Sequence, residues 1–454
     1  MQVPVKKNEE YIVDIIDNGF EGEGIAKIDG FTIFIPKVIK GEKVKIVIVK
    51  VLTSHAYGKK IEILQKSENR QEEECIAYKR CGGCSLRHIS YEETLNIKQK
   101  NIENLLNKTF KGNSIKVQKV IGMGNPYNYR NKAQYPVGVN NKKEPVFGFF
   151  AERTHEIIPI KDCQIHSIIS EQIAYSIYKF IKENNIPAYD EKTNEGLLRH
   201  IIVKNGFRTG EIMCVLVING NKIPKQEELI EMLVKRFNVK TIIKNINTKN
   251  TNVILGQENI VIHGDGFIYD ILGDYTFKIS ANSFYQVNPI QAEVLYNIAL
   301  EKAELGKDDI LFDLYCGIGT IGIFASKYVK KVYGIEIVEN AVKDAIENAK
   351  INDINNIEFI AGDVEKVFEN LMKNKQVYPD VVVVDPPRKG LDNNTINNLL
   401  AVEPKKIVYI SCNPSTLIRD LKQLSDKYDF DEIIPVDMFP YTSHTESIAI
   451  LKLK

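Results

Sequence analysis

The chain has 454 residues, 44% of them hydrophobic, which is too long for one core and implies roughly two to four domains. Lys and Arg number 60 against 59 Asp and Glu, so bulk charge lends nothing to nucleic-acid binding and any such function must rest on local patches. No apolar stretch nears the about 20 residues of a membrane span, and Met1 to Lys7 lack the apolar run of a signal peptide, so the chain reads as cytoplasmic and its 7 cysteines point to metal or catalysis rather than disulfides.

Residues 10–64 alternate short β-rich runs, such as Phe31 to Ile35 and Val44 to Val49, with turn signals at Asn18-Gly19, Gly22 to Gly24 and Gly41. Short strands at this spacing predict a small OB-like barrel. Lys37, Lys40, Lys43, Lys45, Lys50, Lys59 and Lys60 fall in its second half; they form either an RNA-facing surface or an ordinary solvated one. Leu95, Ile97, Ile102, Leu105 and Leu106 recur at near-helical spacing and predict an amphipathic helix over 91–107. Mixed strands and helices follow over 115–280. Within them, Pro126 to Lys132 gather Tyr127, Tyr129, Arg130 and Lys132, side chains that can stack on and clamp an unpaired strand, or simply make a polar loop.

From about residue 308 the pattern turns to strand–helix alternation and predicts a parallel α/β sheet. Asp309 to Tyr315 read as a buried strand, followed by the loop Cys316-Gly317-Ile318-Gly319-Thr320 that opens a helix. Glycines let the backbone approach a ligand, and a helix N-terminus offers unpaired N–H groups. Lys331 to Glu336 end in an acid suited to ribose hydroxyls, and Ile357 to Asp363 end in another suited to an adenine amine. The pattern Asp-x-x-x-Gly-x-Gly is shorter than a dinucleotide fingerprint, which points to S-adenosylmethionine rather than NAD.

Val381 to Val384 form a buried strand that ends in the turn Asp385-Pro386-Pro387-Arg388. Lys406 to Ile410 form the next, ending in Ser411-Cys412-Asn413-Pro414, and the last strand opens on His444-Thr445-Glu446. In open α/β sheets the ligand crevice lies beyond the carboxyl ends of the strands, where Asp385 can bond a base edge. Carbon 5 of uracil is a poor nucleophile. A thiolate from Cys412 adding to carbon 6 makes an enolate that can take a methyl group at carbon 5. Glu446 can then remove the carbon-5 proton so that the thiol leaves. Cys412 as a buried structural cysteine and Glu446 as a plain strand-start acid are the bland readings; their joint position beside a cofactor motif makes both less attractive.

Asp-Pro-Pro-Arg, Ser-Cys-Asn-Pro, the terminal His-Thr-Glu and Phe284-Tyr285-Gln286-Val287-Asn288 resemble the RNA uracil-5-methyltransferase family, nearly end to end. The resemblance implies that Gln286, Tyr315, Glu336 and Asp385 contact the cofactor or lie beside it, with Gly317, Gly319, Thr320 and Asp363 completing that site. It also implies that Cys412 is the nucleophile and Glu446 the base. Tyr315 and Thr320 stand where some members carry Phe and Asn.

Cys75, Cys81 and Cys84 lie in Cys-x5-Cys-Gly-Gly-Cys, and Cys163 in Lys161-Asp162-Cys163-Gln164. Four thiolates can hold zinc or an iron–sulfur cluster. The set resembles the four-cysteine [4Fe–4S] site of the family's ribosomal-RNA branch, which favours a structural cluster with zinc second. Cys214 and Cys316 read as packing residues.

The expected architecture is multidomain. An N-terminal OB-like β-barrel resembling the TRAM domain spans 1–65. A central α+β RNA-binding domain with the cysteine cluster spans 66–285, and its helix 91–107 is a candidate to pack on the catalytic part. A C-terminal α/β Rossmann-like S-adenosylmethionine-dependent methyltransferase spans 286–454. The expected activity is formation of 5-methyluridine in 23S rRNA. The alternatives are the same chemistry on tRNA, or a non-catalytic iron–sulfur RNA-binding protein. The barrel and the cysteine set both favour rRNA, since the resemblance to the family's tRNA branch extends only over the later two-thirds of the chain. RNA is the expected partner, with no membrane and no obligate protein partner.

Overall fold

The computed structural model describes residues 3–112 and 114–454; Met1 and Gln2 of the opening stretch, and Asn113, lie outside the described residues. Six strands (Glu10–Asp14, Asp17–Asn18, Gly24–Ile28, Phe31–Ile35, Lys43–Val51 and His55–Gln65) join in one sheet, ordered first, fifth, sixth, fourth, third, second. Period-two alternation turns Val44, Ile46 and Ile48 to one side, where they are buried with Val13, Ile33 and Ile35. A Cβ on Gly58 would lie 3.1 Å from both Ile35 and Ile46, so a glycine permits the close packing there.

The lysines of this unit do not form one free face. Lys37 Nζ donates to the Tyr78 and Lys79 carbonyls, both at 2.8 Å, and Lys60 Nζ to the Lys37 carbonyl at 3.2 Å. Lys45 pairs with Glu10 at 2.7 Å. Burial holds Lys37 and Lys60 below the usual lysine range. Together with Arg70, whose Nη2 lies 2.9 Å from the buried Glu42 carboxylate, Lys37 fastens the barrel to the cysteine-bearing segment.

A second sheet runs Ile157–Pro159, Pro145–Phe150, Lys132–Val139, Leu198–Asn205, Ile212–Ile218, Thr241–Ile246, Glu258–His263. The helices Ile168–Glu183 and Gln226–Phe237 pack on it through Ile173, Ile177, Leu229 and Leu233. A two-stranded hairpin, Phe267–Leu272 with Tyr275–Ser280, follows. Its Ile268, Phe277 and Ile279 share one continuous core with Met213 and Val215 on one side and Leu295 and Leu311 on the other.

The third sheet runs Ile357–Ala361, Lys331–Glu336, Ile310–Leu314, Val381–Val384, Lys406–Ser411, Glu446–Leu453, Glu432–Val436 and Lys116–Val117. Its first five strands are parallel and Glu446–Leu453 is antiparallel to its neighbours. Chain order reverses between Ile310–Leu314 and Val381–Val384, which makes their carboxyl ends the crevice of the sheet. The helix Tyr91–Thr109 buries Ile102 and Leu106 among Tyr409, Leu417 and Leu421 of this unit, and Lys116–Val117 adds a strand to the sheet's edge. Cys214 and Cys316 are buried.

Candidate active site

Parallel register brings the expected residues to one edge. Leu314 pairs with Ile335 and with Val384, so Tyr315, Glu336 and Asp385 follow side by side; Val384 in turn pairs with Tyr409, two residues before Ser411. Because Glu446–Leu453 runs the opposite way, its first residue reaches the same edge. Ser411 pairs with Ser447, so Cys412 lies opposite Glu446, one position beyond the last pair.

Local chemistry fixes each of these ends. After the four valines, Pro386 and Pro387 cannot donate to a ladder and end the strand. Asn413 caps the helix Pro414–Leu424, its Oδ1 accepting from the Ser415 N–H at 3.1 Å with proline at the first turn, so Cys412 is held half-buried at a strand-to-helix turn. Asn413 Nδ2 also donates to the Arg388 carbonyl at 3.0 Å, tying the Cys412 turn to the Asp385–Arg388 turn.

The glycine loop is bent for approach. Gly317 and Gly319 have φ of 54° and 82°, and Tyr315 has φ 65°, a left-handed strain rare for an aromatic residue. A Cβ on Gly317 would meet nothing within 4 Å, whereas one on Gly319 would lie 2.4 Å from Phe359. Glu336 folds back on this loop, accepting from Gly317 N at 3.1 Å and Val338 N at 2.9 Å. Asp363 caps the helix Val364–Lys373 through Lys366 N, so one of its oxygens serves the fold. The Phe284–Asn288 run divides its labour. Phe284 is 66% exposed and the Gln286 side chain is buried beside the site. Asn288 caps the helix Pro289–Ala303 and donates to the Met438 carbonyl at 3.0 Å.

The electrostatics are those of crowded, desolvated acids that hold their protons. Burial, then the Asp385 charge, raises the Glu446 carboxyl well above its usual range, while Arg388 opposes it. Burial raises Asp385 as well. Burial, then Glu446 and Asp385, pushes the Cys412 thiol up to about 11, with Arg388 again opposing. Asp313, wholly buried one turn below the loop, is raised to about 8 by burial and the nearby acids, although it accepts the Gly322 N–H at 2.8 Å. One Glu446 oxygen and one Asp313 oxygen meet no hydrogen-bond partner among the described residues. A cation placed among these groups would draw them back toward their charged forms.

Sequence reasoning passed over several residues here. Tyr296 is buried with its hydroxyl 3.5 Å from Thr320 Oγ1, within reach of the Gln286 side chain and of the Asp385 and Glu446 charges. It stands on a helix in no motif, and nothing in the sequence marks it. Arg388 and His444 sit inside quoted motifs without a role; burial keeps His444 neutral near neutral pH, at about 4. Both line a cleft of about 560 Å³ that also takes in Phe34 and Tyr57 of the barrel and Arg130 and Arg153 of the central unit.

The Pro126–Lys132 run, for which a strand clamp and a plain polar loop were both open, is partly taken up in packing, while Tyr127 stays 38% exposed. Tyr129 is buried and donates to the Pro440 carbonyl at 3.1 Å, Asn131 Nδ2 donates to the Gln286 carbonyl at 3.0 Å, and the Tyr127 hydroxyl accepts from Tyr441 at 3.2 Å. The run joins the central unit to the catalytic one, because its aromatic residues find apolar cover there.

Cys75, Cys81, Cys84 and Cys163 line one cavity of about 650 Å³. Burial raises the Cys81, Cys84 and Cys163 thiols, Cys84 to about 12, and the other cysteines of the set raise them further. Among the described residues, no group of three or more His, Cys, Asp or Glu side chains is arranged to hold a metal ion. The described residues include no helix long and apolar enough to cross a membrane.

Residues 90–454 match the model of the tRNA (uracil-5-)-methyltransferase family, and residues 4–61 match the TRAM domain. An uncharacterized RNA methyltransferase of Clostridium acetobutylicum is 47% identical over 454 residues, covering 99% of this chain and 98% of its own length. One of Staphylococcus aureus is 43% identical over 451 residues, covering 99% of each chain. The crystal structure of Pyrococcus abyssi tRNA (uracil-54, C5)-methyltransferase in complex with S-adenosyl-L-homocysteine is similar with a TM-score of 0.78 at 27% identity. That likeness covers 97% of this chain and 100% of that one. It removes the expectation that tRNA enzymes resemble only the later two-thirds of the chain: the barrel alone does not separate an rRNA enzyme from a tRNA enzyme.

Proposed function

This chain belongs to the tRNA (uracil-5-)-methyltransferase family, and from that premise we propose that it methylates carbon 5 of a uridine in 23S rRNA with S-adenosylmethionine as donor. The observation that carries the reading is the placement of Cys412 opposite Glu446 at the crevice edge, with Asp385 beside them. The target base leaves its stack to reach them through the cleft between barrel and catalytic unit.

When bound, the donor supplies a methyl group on a positively charged sulfur. Tyr315, Gly317, Gly319 and Thr320 would shape its seat, Glu336 would serve the ribose hydroxyls, and Asp363, Asp385 and Gln286 would complete the site. Cys412 loses its proton and forms a bond from Sγ to carbon 6, moving the ring electrons to an enolate. Carbon 5 would take the methyl as its bond to sulfur breaks, leaving S-adenosylhomocysteine as a neutral thioether. Glu446 then removes the proton from carbon 5, the double bond reforms, and the bond to Cys412 breaks. Arg388 and the sulfonium are the cations that favour the Cys412 thiolate. Once the sulfonium charge is spent, Glu446 holds a proton more tightly, so it becomes the stronger base at the step that needs one.

Cys75, Cys81, Cys84 and Cys163 would hold a [4Fe–4S] cluster, whose structural effect is to tie residues 75–84 to the central unit at Cys163. Their shared, desolvated cavity supports this reading. The cysteine set argues for rRNA. The Pyrococcus likeness favours a second reading, the same chemistry on a tRNA uridine. The test is methyl transfer from labelled S-adenosylmethionine to unmodified 23S rRNA and to unmodified tRNA, with the nucleoside identified by mass spectrometry. 5-Methyluridine in rRNA alone supports the proposal. Product in tRNA alone keeps the chemistry and replaces the substrate.

A further inference from the structure

Arg87 lies three residues past Cys84 and is 3% exposed. Its guanidinium is held between two rings, with centroids 5.0 Å away at Tyr127 and 4.6 Å away at Tyr441. Ring faces soften the cost of burying a cation, but they accept no conventional hydrogen bond. Nε and Nη1 are shut off from solvent and meet no acceptor among the described residues. A buried charge without a hydrogen-bonded counter-charge is expensive, so the placement calls for an anion.

The anion is not a carboxylate of the chain, since the structure shows no salt bridge at Arg87 among the described residues. Arg87 does line the same cavity as Cys75, Cys81, Cys84 and Cys163. A four-iron cluster on four thiolates carries roughly two negative charges, spread over sulfur atoms that accept hydrogen bonds and whose hydrogen bonding tunes the potential.

We propose that Arg87 is the counter-cation of the cysteine-held cluster, its free N–H groups serving the cluster and thiolate sulfurs, and that this charge protects the cluster from oxidation. The inference rests on the cluster reading above. The same side chain stacks on Tyr441, whose carbonyl accepts from Leu86 N at 3.0 Å, so the cation also sits against the stretch leading to Glu446.

The charge argument sets the sign. A nearby positive charge favours the more negative, reduced state of the cluster. Removing it moves any one-electron couple to a more negative potential and makes oxidation easier. The experiment uses the full-length protein, purified without oxygen, as wild type, Arg87→Gln and Arg87→Lys. Iron and sulfide content are measured first. The cluster's midpoint potential and the rate at which ferricyanide, a one-electron oxidant, bleaches the absorbance near ~400 nm follow. The expected result is a more negative potential and bleaching faster by roughly threefold or more in Arg87→Gln, with Arg87→Lys close to wild type. Equal potentials and rates in wild type and Arg87→Gln overturn the proposal while leaving the cluster reading intact. Wild-type protein without iron overturns the cluster reading, and this inference with it. Should Arg87→Gln not retain a cluster, retention by Arg87→Lys supports the charge role. Loss in both alike makes Arg87 a packing residue and overturns the proposal.

Discussion

The Glu446 carboxyl stands across the strand ladder from Cys412 and, after burial itself, is the strongest influence holding that thiol protonated, up to about 11. The proposed nucleophile and base are therefore coupled before any RNA arrives. Replacing Cys412 with Ala should cut turnover by roughly 10³-fold or more while leaving RNA affinity near wild type. Replacing Glu446 with Gln removes the base but not the nucleophile. Methyl transfer should proceed once and stop, leaving a protein–RNA adduct that migrates as a slower band in a denaturing gel. A Glu446→Gln enzyme that turns over normally would mean another group takes the proton.

The same coupling makes a prediction about charge. At pH 8 a thiol with a value near 11 is almost wholly protonated, and alkylation by iodoacetamide should be slow, rising with pH toward that value. A sulfonium placed among Asp313, Asp385 and Glu446 lowers the Cys412 value, because an adjacent cation favours the thiolate. S-adenosylmethionine should thus speed alkylation of Cys412 at pH 8 relative to S-adenosylhomocysteine, which has nearly the same shape and no charge on sulfur. Asp385→Asn should shift the bare enzyme the same way, moving the alkylation midpoint to lower pH. Identical rates with the two ligands would count against the electrostatic account, whatever their absolute effect.

The two loop glycines should fail differently when given a methyl group. Gly317→Ala places its Cβ in open space, in a left-handed conformation that costs of order 1 kcal/mol, so the fold should survive. The donor should nevertheless bind more weakly, because the space beside Gly317 is where its backbone approach is needed. Gly319→Ala drives a Cβ to 2.4 Å from the Phe359 ring, inside the core. It should lower thermal stability by a few kcal/mol as well as affinity. Melting temperature and calorimetric titration with S-adenosylhomocysteine, measured on both variants, separate the two effects. Equal melting losses would refute the distinction.

The parallel unit was legible in the sequence because its signals are local. A buried apolar run ending in an acid, followed by glycine, predicts strand, turn and helix over ten residues, and Tyr315, Glu336 and Asp385 then fall side by side in register. What escaped depends on contacts distant in the chain. Lys37 and Lys60 look like surface charge until the Tyr78 carbonyl appears beside Lys37, and Tyr129 looks like part of an RNA-facing loop until it is found buried, donating to the Pro440 carbonyl. Tyr296 reaches the site from mid-helix, a position that carries no motif. Asp437 is similarly mute in the sequence, yet it anchors the stretch leading to the base.

That anchor is a buried ion pair. Lys98 Nζ lies 2.5 Å from Asp437 Oδ1, with side-chain exposures of 1% and 0%, and the Tyr91 hydroxyl donates to Asp437 Oδ2 at 2.7 Å. Lys98 also donates to the Phe439 carbonyl at 3.1 Å, and Gln291 to the Asp437 carbonyl at 3.1 Å. Residues 437–441 are thus strapped to the Tyr91–Thr109 helix on one side and to the Pro289–Ala303 helix on the other, with Tyr441, at the near end, five positions ahead of Glu446. Lys98→Met leaves a buried carboxylate with only a tyrosine hydroxyl for company and should cost about 3–5 kcal/mol in urea unfolding. Adding Asp437→Asn removes the orphaned charge and should recover part of that loss, which a pair of independent mutations would not do. The single variant should also lower the rate of proton removal more than RNA affinity, since the strap positions Glu446 and not the substrate. A Lys98→Met protein as stable as wild type, or a double variant whose losses simply add, would show that the pair does not hold the strap.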